Sequence, residues 1–195
     1  MPEFQSLKTK KGIVIDGLKL IKPKIFEDDR GFFYESWNAI NFNEKISPKD
    51  FCQDNHSYSL KGVLRGIHYQ LNPFAQGKLI RCTKGLIYDV AIDLRKNSPT
   101  YKEWVSVKLD ETNKYLLWIP EGFGHGFLTI SNYAEVQYKV TKKWDKNSER
   151  SILWNDPDLK IHWPLNEVDQ KPLISKKDSA GLTIKQAEKL DFVFQ

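Results

Sequence analysis

The sequence predicts an all-β protein, built as an antiparallel barrel or sandwich, and three observations support this. Short segments alternate between apolar and polar residues, turn-forming residues separate them, and no long helical stretch intervenes. Aromatic residues, which favour strands, make up 13% of the chain. The length of 195 residues fits one domain, residues 1–195, with a single core. We therefore look for one functional site.

The clearest strand is predicted at residues 86–94. Leu86, Tyr88 and Val90 would share one face of this strand, and Ile87 and Asp89 would share the other. Further strands are predicted at residues 18–26, 32–37, 62–70, 78–83, 104–109, 115–119, 126–130 and 135–140.

The segments between these strands carry turn chemistry, as at residues 29–31, 97–99 and 120–122. Helices are predicted only at residues 38–45 and near the C-terminus. There, Thr183 can cap a helix that ends at Leu190.

The chain is basic, with a net charge of +5 and a pI near 9.0. Lysines and arginines are scattered among acidic residues, which favours a solvated surface over a nucleic-acid-binding patch. A few local cations would suffice for an anionic small ligand such as a nucleotide diphosphate. We expect no nucleic-acid partner.

The two cysteines, Cys52 and Cys82, have no C-x-x-C spacing, so neither a disulfide framework nor a thiolate metal site is indicated. The first eleven residues lack the apolar core of a signal peptide. No stretch approaches the roughly 18 apolar residues of a membrane helix. We expect a cytoplasmic protein that is neither exported nor anchored.

Common cofactor and nucleophile motifs are missing from the sequence. There is no G-x-G-x-x-G, no P-loop and no G-x-S-x-G elbow. Nicotinamide chemistry, nucleoside-triphosphate chemistry and an α/β-hydrolase site are therefore not indicated, and we expect no cofactor.

One motif is more specific, because Pro120, Gly122 and His125 reproduce the P-x-G-x-x-H half of the cupin signature. In metal-dependent cupins the other half supplies H-x-H and a downstream glutamate. Here the matching strand reads His68-Tyr69-Gln70, and Lys78 replaces the carboxylate. Two imidazoles beside a cation are too few ligands for zinc, iron or manganese, which disfavours a metal-dependent cupin oxygenase or isomerase. We expect a cupin-type antiparallel β-barrel (jelly roll), with short peripheral helices near the C-terminus and no metal.

A longer series of motifs runs in order from about residue 20 to residue 178. It comprises Phe26, Asp29-Arg30-Gly31-Phe32-Phe33 with Glu35, Gln53-Asp54-Asn55, Arg65-Gly66-Ile67-His68-Tyr69-Gln70, Gln76-Gly77-Lys78-Leu79, Asp89-Val90-Ala91-Ile92-Asp93-Leu94-Arg95, His125-Gly126-Phe127, Tyr138-Lys139 and Lys177-Asp178. In this series the chain resembles the dTDP-4-dehydrorhamnose 3,5-epimerase family. An ordered series is far more specific than any one of its motifs.

The resemblance implies a metal-independent isomerase that converts dTDP-4-dehydro-6-deoxy-D-glucose to dTDP-4-dehydro-L-rhamnose. Protons at C3 and C5 would be removed and returned on the opposite face. By resemblance His68 is the base, oriented by Asp178, and Tyr138 is the acid. Lys78 would stabilise the enolate oxygen. The chemistry agrees, since imidazole titrates near neutral pH and a phenol stays protonated there.

The resemblance also implies a set of substrate-binding residues. They are Phe26, Arg30, Glu35, Gln53, Asp54, Asn55, Arg65, His125, Glu149 and Lys177. Arg30 and Glu35 are implied to reach the ligand from the partner subunit of a homodimer with shared active sites.

Strict strand alternation would place Arg65 and His68 on opposite faces, because they are three residues apart. Both can face the barrel interior only if the strand is irregular. Glycine tolerates the backbone of a bulge, so we expect an irregularity at Gly66.

Several alternatives remain open at this stage. Tyr138 shares a strand face with Val136 and Val140, as a packed core tyrosine would, and His125 could be a remnant of the metal-cupin turn. A relative that inverts only C3 or C5, or a non-catalytic sugar-binding cupin, would also fit. No residue distinguishes thymine from other bases, and dTDP rests on resemblance alone.

Overall fold

The computed structural model describes residues 1–168 and 171–195, which form two large β-sheets and one small hairpin. The strands, in chain order, are β1 (Glu3–Lys8), β2 (Val14–Lys22), β3 (Phe26–Asp28), β4 (Gly31–Phe33), β5 (Gln53–Leu60), β6 (Val63–Gln70), β7 (Lys78–Lys84), β8 (Leu86–Asp93), β9 (Trp104–Asp110), β10 (Leu116–Ile119), β11 (Phe123–Thr129), β12 (Tyr133–Val140), β13 (Glu149–Ser151) and β14 (Leu173–Ile174).

The first sheet has the strand order β1-β2-β10-β7-β12-β5, and the second has the order β13-β6-β11-β8-β9. All neighbours in these orders are antiparallel, while the short β14 lies parallel to β6. Strands β3 and β4 form the separate hairpin. This arrangement confirms the predicted all-β, cupin-type antiparallel barrel.

Alternation along the strands builds three apolar layers. Inward residues such as Leu117 and Ile87 pack between the two sheets. Outward residues of the first sheet, such as Trp118, pack under a short helix. Outward residues of the second sheet, such as Val90, are covered by the C-terminal segment. Both faces of each sheet are therefore buried over much of their length, which stabilises the scaffold around the interior.

The short helices begin where side chains cap their first turn. Helix α1 (Ala39–Lys45) is capped by Asn38, α2 (Lys176–Ser179) by Ser175, and α3 (Ile184–Lys189) by a capping box at Thr183. A 3₁₀ turn spans Leu165–Glu167. The helices predicted at residues 38–45 and 183–190 are thus confirmed. No helix within residues 1–168 or 171–195 has the length and apolar character needed to cross a bilayer.

Five strands of the described residues were missing from the sequence prediction: β1, β3, β5, β13 and β14. Strand β1 was not predicted, and β5 escaped because its less exposed face carries polar residues, including Gln53 and Asn55. Alternation of apolar and polar residues predicts a strand only when one of its faces is apolar, and the less exposed face of β5 is polar. The strand predicted at 32–37 is shorter and ends at Phe33, and the one predicted at 18–26 ends at Lys22.

The predicted irregularity at Gly66 is confirmed. Strand β6 pairs with β11 through His68–His125 and Arg65–Phe127, so three steps along β6 match two along β11. Gly66 has a φ of +116°, and a Cβ there would lie 2.6 Å from the Cα of Gly126. The extra residue places Arg65 and His68 on the same side of the sheet.

We predict that Gly66→Ala destabilises the protein by about 3 kcal/mol or more, because the methyl group has no room and the backbone conformation disfavours a side chain. Thermal unfolding measures the change. Gly12→Ala is the matched control, since Gly12 has a φ of +82° but open space around it. It should cost only the conformational strain of about 1–2 kcal/mol. Equal losses in the two variants would contradict the close-packing explanation.

Candidate active site

A cavity opens between the two sheets at one end of the barrel, and polar side chains from both sheets line it. Its lining residues are Gln53, Asn55, His68, Tyr69, Gln70, Gln76, Lys78, Tyr138, Trp144 and Glu149. The first sheet contributes Lys78 from β7 and Tyr138 from β12, and the second contributes His68 from β6. A ligand in this cavity would therefore lie between chemical groups on opposite walls.

The side chains of His68 and Asp178 contact each other at the cavity wall. The Nε2 atom of His68 lies 2.5 Å from Oδ1 of Asp178, which is buried in the short helix α2. The amides of Gly66 and Asp178 itself add hydrogen bonds that fix the carboxylate and the helix start. Burial opposes ionisation of Asp178, but its hydrogen bonds, above all to His68, hold its pKa below the usual value. With Nε2 engaged, Nδ1 is the ring nitrogen available to a ligand.

Lys78 is a buried ammonium at the start of β7, and its Nζ donates to the backbone oxygen of His68 at 3.3 Å. Burial lowers the pKa of Lys78 to about 8, while the carboxylates of Asp89 and Glu149 counteract this and Lys177 adds to it. Lys78 therefore remains mostly protonated at neutral pH, but it can lose its proton within the physiological range.

Asp89 and His125 form a second imidazole–carboxylate pair, on the inner face of the second sheet. Nε2 of His125 lies 3.0 Å from Oδ2 of Asp89, and both residues are buried. Burial lowers the pKa of His125, and the nearby charges of Lys78 and His68 add to this, although Asp89 opposes it. The other oxygen of Asp89, Oδ1, is buried without a hydrogen bond among the described residues. Asp89 thus contacts His125 directly, and it also lies near enough to Lys78 for its carboxylate to raise the pKa of that ammonium.

Tyr138 faces these groups from the opposite sheet and is partly buried. Burial raises the pKa of its phenol, and the guanidinium of Arg65 only partly offsets this. The hydroxyl therefore stays protonated at neutral pH. A protonated phenol opposite an imidazole is a suitable proton donor on the other side of a bound ligand.

Glu149 of β13 bonds the side chains of two residues at the cavity rim, Lys177 of α2 and Trp144 of the loop before β13. It accepts from Nζ of Lys177 at 2.6 Å, and the side chain of Trp144 also donates a hydrogen bond to it. Burial opposes the ionisation of Glu149, but these bonds lower its pKa below the usual value. Glu149 and Lys177 are therefore placed at the same cavity as His68.

Other predicted site residues lie outside this cavity. Arg65 is exposed on the same side as His68, and it donates to Ser59 and Tyr58 of β5. Asp54 lies on the opposite face of β5, paired with Lys139 at 2.9 Å.

Phe26, Arg30 and Glu35 are also remote from the cavity of their own chain. Phe26 and Arg30 belong to the exposed β3–β4 hairpin, where Arg30 pairs with Asp28. Glu35 follows the hairpin in the sequence, and its carboxylate accepts a hydrogen bond from the side chain of Asn38.

Within the described part of the chain, no three His, Cys, Asp or Glu side chains come together in a group that could hold a metal ion. The cavity instead presents an amide at Gln70 and an ammonium at Lys78.

The family model for dTDP-4-dehydrorhamnose 3,5-epimerases matches residues 13–186. The chain belongs to this family. It is 50% identical to the dTDP-4-dehydrorhamnose 3,5-epimerase of Pseudomonas aeruginosa, over 90% of this chain and 96% of the relative. It is 52% identical to the enzyme of that name from Shigella flexneri, over 86% of this chain and 91% of the relative.

A solved structure from the same family extends the comparison to three dimensions. The dTDP-6-deoxy-D-glucose-3,5-epimerase of Legionella pneumophila, in complex with dTDP-4-keto-L-rhamnose, superposes with a TM-score of 0.89 at 41% identity. The match covers 99% of this chain and 98% of the neighbour. The epimerase-family fold thus extends over nearly the whole chain.

Sequence reasoning did not assign a role to several residues that the structure places in or beside the epimerase-family cavity. They are Asp89, Gln70, Gln76 and Trp144. The signals for Asp89 were its place in the series of family motifs and a carboxylate on the inward face of a largely apolar strand. Trp144 lies in a loop, where no periodicity exists to show which way a side chain points.

We predict that Asp89→Asn moves the high-pH limb of the pH profile of kcat/KM to lower pH by about one unit or more. Lys78 is protonated below its pKa of about 8, and removing the negative charge of Asp89 destabilises the ammonium. Its pKa therefore falls, and activity is lost at a lower pH.

Asp93→Asn is the matched control, because Asp93 is a buried carboxylate on the same strand that bonds Arg95, Ser98 and Thr100. It should destabilise the fold without moving that limb. An unshifted profile for Asp89→Asn would show that Asp89 does not set the charge of Lys78.

Proposed function

We propose that this protein is a nucleotide-sugar 3,5-epimerase that converts dTDP-4-dehydro-6-deoxy-D-glucose to dTDP-4-dehydro-L-rhamnose. The observation that carries this proposal is the placement of the His68–Asp178 pair and the Tyr138 phenol on opposite sheets of one cavity. Epimerisation needs a base and an acid on opposite faces of the sugar ring. The names of the relatives and the ligand of the Legionella neighbour support the substrate.

The chemistry follows from the acidity of C–H bonds beside the C4 ketone. Nδ1 of His68 removes the proton, the C–H electron pair shifts toward the ketone, and an enolate oxygen forms. The ammonium of Lys78 stabilises that negative charge in a buried site, where such an interaction is strong. Tyr138 then donates its proton to the carbon from the opposite face, which inverts it. The His68 imidazolium releases its proton to solvent and the Tyr138 phenolate takes one up from solvent, so both groups are restored before the second carbon reacts. The same steps act at C3 and at C5.

The Asp178 carboxylate has two effects on the base. It fixes the orientation and tautomer of the His68 ring, and it stabilises the imidazolium that forms when the proton is taken. The low pKa of Asp178 keeps that carboxylate charged throughout.

The proposed reaction proceeds without a metal ion, on the strength of the groups that occupy the cavity. Gln70 stands where metal-dependent cupins carry a second histidine, and its amide is engaged by loop backbone atoms. A divalent cation would also be repelled by the neighbouring ammonium of Lys78.

The defining experiment is turnover of dTDP-4-keto-6-deoxyglucose, coupled to a ketoreductase that accepts only the rhamnose-configured product. It is run in D₂O, with and without EDTA, and we expect deuterium at both C3 and C5 in each case. Deuterium at only one carbon would identify a single-carbon epimerase. Abolition by EDTA, with recovery on adding one metal, would overturn metal-independence, and binding without exchange would indicate a non-catalytic sugar-binding protein.

We predict that His68→Ala and Tyr138→Phe fail differently. Loss of the base should block deuterium exchange at both carbons, whereas loss of the phenol should preserve part of the exchange but impair inversion. Each rate should fall by about 10²- to 10⁴-fold, the usual contribution of general acid or base catalysis. Losses below tenfold, in variants with unchanged thermal unfolding, would contradict these roles.

The proposal includes substrate contacts around the catalytic groups. Gln53 and Asn55 of β5 and the Glu149–Lys177 pair line or border the cavity, and Arg65 stands exposed on the same side. Buried His125 is proposed to bind the sugar or its keto oxygen from beneath.

We further propose a homodimer in which each β3–β4 hairpin completes the active site of its partner. Phe26, Phe32 and Phe33 are 52%, 59% and 68% exposed, an unusual state for three neighbouring phenylalanines. Arg30 at the hairpin tip pairs only with its neighbour Asp28 among described residues and is available to a diphosphate, which guanidinium groups bind well. Docking of this hairpin would bring Arg30 and Glu35 to the bound nucleotide.

The proposed location is the cytoplasm, because Cys52 and Cys82 are both free thiols and a reducing compartment keeps them so.

Mixed dimers test the shared site. Arg30→Ala and His68→Ala chains, each nearly inactive alone, are co-refolded in equal amounts. If sites are shared, one site of each heterodimer carries both lesions and the other neither, so activity should recover to roughly one quarter of wild type. The absence of recovery, with heterodimers demonstrated by mass spectrometry, would mean that each chain builds its own site.

A further inference from the structure

Gln70 ends strand β6 two residues after His68, and its buried side chain holds two loops together. Its Nε2 donates to the backbone oxygen of Phe74 at 2.7 Å and to that of Lys143 at 3.1 Å. Its Oε1 accepts from the backbone N–H of Asp145 at 2.7 Å. Since Gln70 is only 4% exposed, these bonds are shielded from water, and leaving their partners unpaired would be costly.

The two loops that Gln70 joins connect strands that carry the chemistry. Residues 71–77 run from β6, with His68, to β7, with Lys78. Residues 141–148 run from β12, with Tyr138, to β13. Gln70 therefore joins two loops, each of which connects one sheet to the other beside the cavity.

Trp144 lies between the two residues that Gln70 holds in the second loop. Its backbone is thus fixed on both sides, through Lys143 and Asp145. Its indole lines the cavity, remains 55% exposed and donates to Glu149. A large aromatic side chain that is half exposed at a cavity mouth buries more apolar surface when a ligand covers it.

We propose that Gln70 is a positioning residue, which fixes residues 143–145 so that Trp144 forms one wall of the sugar-nucleotide site. This inference rests on the proposed function for the identity of the ligand. The three hydrogen bonds of Gln70 to the two loops, which we call the Gln70 clamp, do not depend on the ligand, because they are made within the chain. At the strand position where a metal-dependent cupin holds its ion, this chain has an amide that orders the rim instead.

Three variants test the clamp. Gln70→Met removes the hydrogen bonds at nearly constant size, Trp144→Ala removes the wall, and the double variant combines them. We expect each single change to raise KM about three- to tenfold, which is the fold-change that the loss of one aromatic contact produces. The effect on kcat should be smaller. The double variant should be no worse than the poorer single variant, because Gln70 acts through Trp144. Fully additive effects would overturn the proposal.

A second measurement needs no substrate. Amide hydrogen exchange across residues 141–148 should accelerate in Gln70→Met, while exchange across β9 should not. Gln186→Met is the matched control, since it makes the same chemical change in the capping box of α3, remote from the cavity. It should leave both KM and the exchange of residues 141–148 unchanged. Unaltered exchange in Gln70→Met would overturn the clamp.

Gln70→Glu keeps the acceptor for Asp145 and removes the two donated bonds, so it serves if the methionine variant does not fold. Failure of the wild-type protein to turn over the dTDP-linked sugar would refute the proposed function. Even then, the exchange measurement alone would decide whether Gln70 orders the loop.

Discussion

The close approach of strands β6 and β11 is the constraint on which the site depends. Two glycines, Gly66 and Gly126, meet backbone to backbone with no space for a side chain between them. The extra residue of β6 at this point turns His68 and Arg65 toward the same side. The freed amide of Gly66 also faces the carboxylate of Asp178, which helps hold helix α2 against the sheet. A local backbone irregularity thus positions the proposed base and its carboxylate together.

Charge burial is the second organising principle. The interior holds an ammonium, two imidazoles and several carboxylates, each of which would be costly to bury alone. They are arranged so that each carboxylate has an imidazole or an ammonium as its neighbour: Asp178 beside His68, Asp89 beside His125 and near Lys78, and Glu149 beside Lys177. The result is a low-dielectric site whose polar groups can respond to charge that develops on a substrate.

The barrel of metal-dependent cupins is suited to acid–base chemistry in this chain because different side chains occupy the metal-binding positions. The turn that contains His125 is kept, but the imidazole is engaged by a buried carboxylate. Lys78 brings a buried ammonium to the cavity, where a metal ion would bring its own positive charge. Gln70 uses its amide on loop backbone atoms. In the proposed function, Lys78 therefore supplies the electrophilic centre, and the other polar groups of the cavity act as base, acid and supports.

The sequence by itself determined the architecture and most of the candidate site. Period-two alternation identified most strands because each needs one apolar face, and the spacing of Arg65 and His68 required the irregularity at Gly66. It missed β5, whose polar face serves the cavity instead of the core. Only the tertiary structure decided which residues meet. Asp178 lies 110 residues from His68, and the loop of Trp144 is ordered by a side chain from a distant strand. Such contacts depend on how the sheets and loops pack, and no local pattern along the chain records that packing.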